Sequence, residues 1–216
     1  MTDSTAKNLL PYDGEVYLLP PLNLPNFSNE ALYQKLLNEL PWQSDVVTLF
    51  GKTHITRRKV VWMGDDNTGY RYSGHLRTTI AWQPLVFEIK QQIEAKILTF
   101  FQNNQMLGSQ LNPRVNPVFN ACLLNYYPTG EDGMGYHADN EKELGDTPMI
   151  ASVSFGATRK IAFKHKVTKE KIDVVLPPAS VLLMMGATQS YWQHSIPKTK
   201  KVLSGRISLT FRKILV

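Results

Sequence analysis

Arg206-Ile207-Ser208-Leu209-Thr210-Phe211-Arg212 alternates polar and apolar residues without a break. A period of two is the period of a strand, so Ile207, Leu209 and Phe211 share one face and turn to a core, while Arg206, Ser208, Thr210 and Arg212 share the other. Working outward, this run is the last of six with strand length and strand composition: 118–127, 149–155, 159–163, 171–176, 180–185 and 206–214. Turn formers separate them, namely Pro128-Thr129-Gly130, Gly156, Pro177-Pro178, Gly186 and Gly205. With so little helix between the strands, an antiparallel double-sheet fold, a sandwich or jelly roll, is favoured over a parallel sheet.

The N-terminal half reads differently. Asn29 to Leu40 is a short helix with Ser28 as its N-cap, an apolar face of Leu32, Leu36, Leu37 and Leu40, and Pro41 as its stop. After Pro84 the stripe Leu85, Ile89, Ile93, Ile97, Phe101 predicts an amphipathic helix laid on something flat. The expected class is therefore α+β, mainly β: a jelly roll, also called a double-stranded β-helix, with supporting N-terminal helices. At 216 residues, with no repeat or low-complexity block, one domain over 26–216 suffices, and residues 1–25 are an N-terminal extension without a motif.

Composition narrows the function class. Hydrophobic residues at 43% against 19% charged exclude a disordered chain, and no apolar run reaches the roughly 20 residues of a membrane span. A polar N-terminus running into Pro11 has no signal-peptide core, so the chain is expected to stay inside the cell: in the cytoplasm if bacterial, in the nucleus if eukaryotic. The single cysteine, Cys122, lies in an apolar run and reads as core packing in a reducing compartment. Lys and Arg exceed Asp and Glu by 24 − 18 = 6, with clusters at Arg57-Arg58-Lys59, Lys164-His165-Lys166, Lys169 to Lys171 and Lys198 to Lys201. Such patches suit a polyanion, and equally a solvated surface.

The chemistry starts at His137-Ala138-Asp139, where an imidazole and a carboxylate two residues apart on extended backbone point to one side. His194 follows one apolar strand later. Two His and one carboxylate cover one face of an octahedron and leave three positions open, the arrangement of non-heme iron(II) oxygenases. The polar face of 206–212 adds two arginines, whose planar forks grip carboxylates, and Asn125 with Tyr127 adds an amide and a phenol on one strand face. Each motif has a plainer reading: a surface His and a capping Asp, a solvent-facing terminal strand, a strand end entering a turn.

Asn125-x-Tyr127, His137-x-Asp139, His194 and Arg206-x-Ser208-Leu209-Thr210-Phe211-Arg212, in this order and spacing, closely resemble the AlkB family of nucleic-acid dealkylating dioxygenases. The resemblance runs from about residue 47 to the C-terminus and is nearest to the family's duplex-DNA repair branch. It implies iron(II) held by His137, Asp139 and His194, with O2 and 2-oxoglutarate as cosubstrates. The latter would be bound by Asn125, Tyr127, Arg206, Ser208, Thr210 and Arg212, one Arg near each carboxylate. Ser208 stands where relatives often have Asn. A DNA-contacting lid is implied at about 47–74. In it Val47-Thr48-Leu49-Phe50-Gly51 and Lys52 match a finger that enters the duplex, Arg57 and Arg58 would hold phosphates, and Tyr70, Arg71 and Tyr72 match a segment covering the base. Asn140 and Glu141 match base-contacting positions, although relatives often carry Asp at the former.

The implied function is oxidative demethylation of alkylated bases such as 1-methyladenine and 3-methylcytosine, coupled to 2-oxoglutarate decarboxylation and formaldehyde release, by a monomer acting on DNA that is double-stranded. Three alternatives remain at this point: the same oxygenase chemistry on RNA or protein side chains, a zinc hydrolase using His2Asp, and a non-catalytic double-sheet binding module.

Overall fold

The computed structural model describes residues 7–49, 52–65, 70–72, 75–77, 79–104 and 117–215, with backbone alone at 47–49, 52–54, 70–72 and 75–77. Among them, a seven-stranded antiparallel sheet has the order β1-β11-β8-β13-β6-β3-β2, and a four-stranded sheet the order β10-β9-β12-β7. The larger sheet comprises β1 (Glu15–Leu19), β2 (Gln43–Leu49), β3 (Lys52–Gly64), β6 (Ala121–Tyr127), β8 (Ile150–Gly156), β11 (Val181–Met185) and β13 (Arg206–Arg212). The smaller comprises β7 (Met134–His137), β9 (Arg159–His165), β10 (Lys171–Leu176) and β12 (Trp192–Ile196). A separate ribbon pairs β4 (Tyr70–Tyr72) with β5 (His75–Arg77).

β13 lies in the middle of the large sheet, between β8 and β6, and both of its faces are covered. Ile207, Leu209 and Phe211, fully buried, pack with α1 (Asn29–Glu39) and α2 (Pro84–Asn103) in one core. The opposite face looks toward the small sheet across a second core containing Ile161, Phe163, Met184 and Trp192. The arginines of β13 are thus turned inward, with Arg206 2% and Arg212 3% exposed, so the reading of a solvent-facing terminal strand is excluded. Burial of each Ile, Leu or Phe contributes about 1.5–3 kcal/mol, enough to fix the register that aims the polar residues.

The helix expectations hold with one physical adjustment. In α2 the buried residues are Val86, Ile89, Lys90, Ile93, Ile97 and Phe100, while Leu85 and Phe101 are only partly buried. A strict four-residue stripe drifts by about 40° per step at 3.6 residues per turn. Centred on Ile93, it rotates off the core at both ends, and Val86 and Phe100 take over. Ser28 caps α1 as expected, its Oγ accepting from Ala31 N at 3.1 Å.

The N-terminal boundary at residue 25 is corrected. β1 pairs in register with β11 from Glu15↔Met185 to Leu19↔Val181, and Leu10, Val16, Leu22 and Leu24 are buried in the two cores. Tyr12 and Asp13 are tied to the small sheet as well: Trp192 Nε1 donates to Tyr12 O at 3.0 Å, and His165 Nε2 lies 3.3 Å from Asp13 Oδ2. A five-residue apolar strand satisfies its backbone by completing a sheet edge, which needs no motif to be read in advance. Strands β2 and β3 likewise extend the sheet into the N-terminal half, beside the supporting helices.

Candidate metal and cosubstrate site

Register brings the metal-ligand candidates together. His194 on β12 is the cross-strand partner of His137 on β7, and their ring centroids are 4.3 Å apart. Asp139 follows β7 by two residues and is 1% exposed. His137 Nε2 lies 3.9 Å from Asp139 Oδ1, and His194 Nε2 lies 3.9 Å from Asp139 Oδ2. Those gaps are too long for hydrogen bonds between the ligand atoms. All three ligand atoms fall within 4.8 Å of one another.

Electrostatics suit a cation. Burial, reinforced by His137, holds His194 far below the ordinary imidazole range, at about 3, so its ring is neutral and can offer a lone pair. Burial pushes the Asp139 carboxyl up, but the Arg212 guanidinium bonded to it outweighs burial and holds it below the usual carboxylate range. Neighbouring groups orient the ligands: His137 Nδ1 is 2.9 Å from Gly135 O, Asp139 N donates to Gln189 Oε1 at 2.9 Å, and Arg212 Nη2 donates to Asp139 Oδ1 at 3.0 Å. A two-histidine, one-carboxylate set with its ligands so held fits a ferrous ion.

The same cavity carries the cosubstrate candidates. Asn125 and Tyr127 from β6 and Arg206, Ser208, Thr210 and Arg212 from β13 all line it, together with the triad. Arg206 is its most telling member. Its Nη2 donates to Ser154 Oγ at 2.8 Å, and its Cζ lies 5.6 Å from the Tyr127 ring centroid. Its Nε and Nη1 have no hydrogen-bond partner among the described residues, although the side chain is buried. Burial lowers its pKa to about 10, which still leaves it charged. A buried guanidinium with two idle donors fits an incoming carboxylate. Arg212 lines the same cavity beside the triad, donating to Asp139 Oδ1.

One expected DNA contact is corrected. Arg58 is 5% exposed, ion-paired with Asp45 and donating to Asn125 Oδ1 at 2.9 Å, so it faces the cavity side and cannot reach phosphate. Arg57 is exposed, 3.7 Å from both Glu131 and Asp132, and stays available to a polyanion. Asn140 is exposed and Glu141 partly buried, its Oε2 without a hydrogen-bond partner among the described residues. Phe50 and Gly51 lie outside the described residues, and Lys52, Tyr70, Arg71 and Tyr72 are described by backbone alone.

Sequence reading missed Ser154 and Gln189. Ser154 was within reach, because alternation along β8 puts Ser152 and Ser154 on one face and Ala151, Val153 and Phe155 on the other. Gln189 sits in a helical turn, Thr188–Tyr191, and carried no signal.

The sequence profile of the 2OG-Fe(II) oxygenase superfamily matches residues 16–212. The chain belongs to that superfamily. The resemblance to the AlkB family extends over most of the chain. It is 33% identical over 198 residues to the DNA oxidative demethylase ALKBH2 of Homo sapiens, covering 87% of this chain and 69% of that protein. It is 34% identical over 197 residues to the Bos taurus protein of the same name, covering 86% and 64%. The chain thus spans about two thirds of the length of these relatives. Among solved structures, that of OsALKBH1 aligns with a TM-score of 0.62 at 16% identity, covering 94% of this chain and 99% of the other, which establishes a shared fold.

Proposed function

We propose that this oxygenase removes N-methyl groups from DNA bases, with His137, Asp139 and His194 as iron ligands and Arg206 as the anchor of 2-oxoglutarate. The observation that carries the site assignment is Arg206, a buried cation with idle donors in the same cavity as the triad. The choice of DNA rests on similarity to proteins named DNA oxidative demethylase over some nine tenths of the chain.

In this reading Asn125, Tyr127, Ser152, Ser208 and Thr210 complete a polar lining around the cosubstrate, Ser154 holds Arg206, and Arg212 holds Asp139 in its ligating orientation. Bound iron with O2 and 2-oxoglutarate supplies the oxidation, placing one oxygen atom in an N-methyl C–H bond and the other in succinate, with release of CO2. The resulting N-hydroxymethyl group loses formaldehyde and leaves N–H on the base. Packing of Ile161, Leu176 and Ile196 around the cavity limits water at the reacting carbon. The carboxylate of Glu141 is available to a base made cationic by methylation, such as 1-methyladenine or 3-methylcytosine.

Exposed Arg57, Lys59, Lys169, Lys171, Lys198, Lys200 and Lys201 suit the phosphates of a duplex, and a flipped base is the form that could enter the cavity. We read the protein as a monomer in a reducing intracellular compartment, where iron stays ferrous and Cys122, fully buried, stays a thiol. The experiment is to present one lesion in double-stranded DNA, single-stranded DNA and RNA at matched concentration. Highest kcat/KM on duplex DNA supports the reading, and activity confined to RNA overturns it.

A further inference from the structure

The β2–β3 hairpin contains an irregularity beside the cavity. Register runs Ser44↔Lys59 and then Val46↔Ile55, so Thr56, Arg57 and Arg58 bulge opposite Asp45. Bulges re-aim side chains. This one sends Arg57 outward and Arg58 inward, where Arg58 meets Asp45, 1% exposed, and Asn125 Oδ1. Val60 is the cross-strand partner of Asn125, which places Arg58 diagonally against it on the same sheet face.

The chemistry of this contact fixes an orientation. A guanidinium donates and cannot accept, so an amide bonded to Arg58 must turn its oxygen toward it. The NH2 of Asn125 is then directed away from Arg58, into the cavity that Asn125 lines beside Arg206 and Ser208. Without Arg58 the amide could flip and present an oxygen to an incoming carboxylate, which would repel it.

We propose that Asp45 and Arg58 are positioning residues for the cosubstrate. The ion pair locks Asn125 as a hydrogen-bond donor, and through it the β2–β3 hairpin and the 2-oxoglutarate pocket are energetically linked. By reciprocity, whatever displaces the base of this hairpin weakens 2-oxoglutarate binding by the same factor that 2-oxoglutarate resists the displacement. The inference rests on the cavity being the 2-oxoglutarate site and is independent of which nucleic acid is the substrate.

The test is calorimetric titration of 2-oxoglutarate into the iron(II)-loaded full chain under anaerobic conditions without DNA, with iron affinity measured in parallel. Arg58→Gln and Asn125→Ala should each raise the 2-oxoglutarate Kd about tenfold, the loss of one good hydrogen bond to a charged group, while iron affinity stays put. The double variant should bind no worse than Asn125→Ala alone, because Arg58 acts through Asn125. Asn125→Asp, which keeps the contact to Arg58 but replaces the inward NH2 by an oxygen, should bind at least about tenfold more weakly than wild type.

Should Arg58→Gln fail to fold because Asp45 loses the Arg58 cation, Asp45→Leu/Arg58→Met removes both charges and should show the same weakening, absent in the Asn125→Ala background. Additive losses in either cycle, or wild-type affinity in Asn125→Asp, overturn the inference. Absence of 2-oxoglutarate binding by the wild type overturns instead the site assignment on which it rests.

Discussion

Two arginines are buried to nearly the same degree on neighbouring parts of the large sheet, Arg58 at the base of the β2–β3 hairpin and Arg206 on the floor of the cavity. Arg58 has its counter-ion built in, Asp45, and an amide oxygen besides. Arg206 has one serine hydroxyl, with Nε and Nη1 unengaged among the described residues. Removing a guanidinium from water costs several kcal/mol unless it is paired. Arg58 is therefore part of the folded architecture, whereas Arg206 carries a cost that a bound carboxylate would offset. Sequence position does not separate the two. The partner does.

The contrast is sharpened first by removing the metal end of the cavity. Asp139→Ala deletes a ligand and the partner of Arg212 together, and should lower turnover by more than about 10³-fold with loss of stoichiometric iron binding. Retained iron binding by equilibrium dialysis would show that the metal lies elsewhere. Next, Arg206→Met should weaken 2-oxoglutarate by about 30- to 1,000-fold, equivalent to the roughly 2–5 kcal/mol of a truncated buried charge pair, and yet leave the cosubstrate-free protein as stable as wild type or more so. Arg58→Met should do the reverse in denaturant titration, destabilising the cosubstrate-free protein by about 3–5 kcal/mol because the buried Asp45 loses the Arg58 cation. Equal destabilisation by the two variants would erase the distinction between them.

Smaller effects follow around the triad. Gln189→Ala removes the acceptor of the Asp139 N–H and should weaken iron binding by about 10- to 100-fold without changing 2-oxoglutarate affinity measured at saturating metal. In the metal-free protein His194 titrates far below its unfolded value, at about 3. The unfolded chain binds a proton that the folded one refuses between those two values. Stability therefore falls as pH drops below about 6.5, by about 1.4 kcal/mol per pH unit from this one group, and His194→Gln should flatten that slope in urea unfolding.

Much of this is legible in the sequence alone. The parity of β13 placed Arg206, Ser208, Thr210 and Arg212 on one face, and fully apolar runs marked the strands after residue 118, because a period of two is a local property. His137, Asp139 and His194 converge because β7 and β12 are adjacent, and no spacing rule states that adjacency. It had to come from resemblance. Arg58 was misread for a related reason: in Arg57-Arg58-Lys59 a basic triplet looks like surface, and the bulge that turns its middle member inward depends on pairing with β2. Residues 15–24 were assigned to an extension because an edge strand needs a neighbouring β11, which lies far away in sequence. Gln189, at the other end of a backbone hydrogen bond from Asp139, left no pattern at all.

The central claim is that the triad and Arg206 form one oxidising site acting on methylated DNA. Formaldehyde and succinate release should be measured from a duplex oligonucleotide carrying a single 1-methyladenine, with iron(II), with and without 2-oxoglutarate. The account predicts one formaldehyde per restored adenine, with none formed when 2-oxoglutarate is omitted or Arg206 is replaced by Met at limiting cosubstrate. Succinate formation without formaldehyde, or unchanged 1-methyladenine after prolonged incubation, would contradict it.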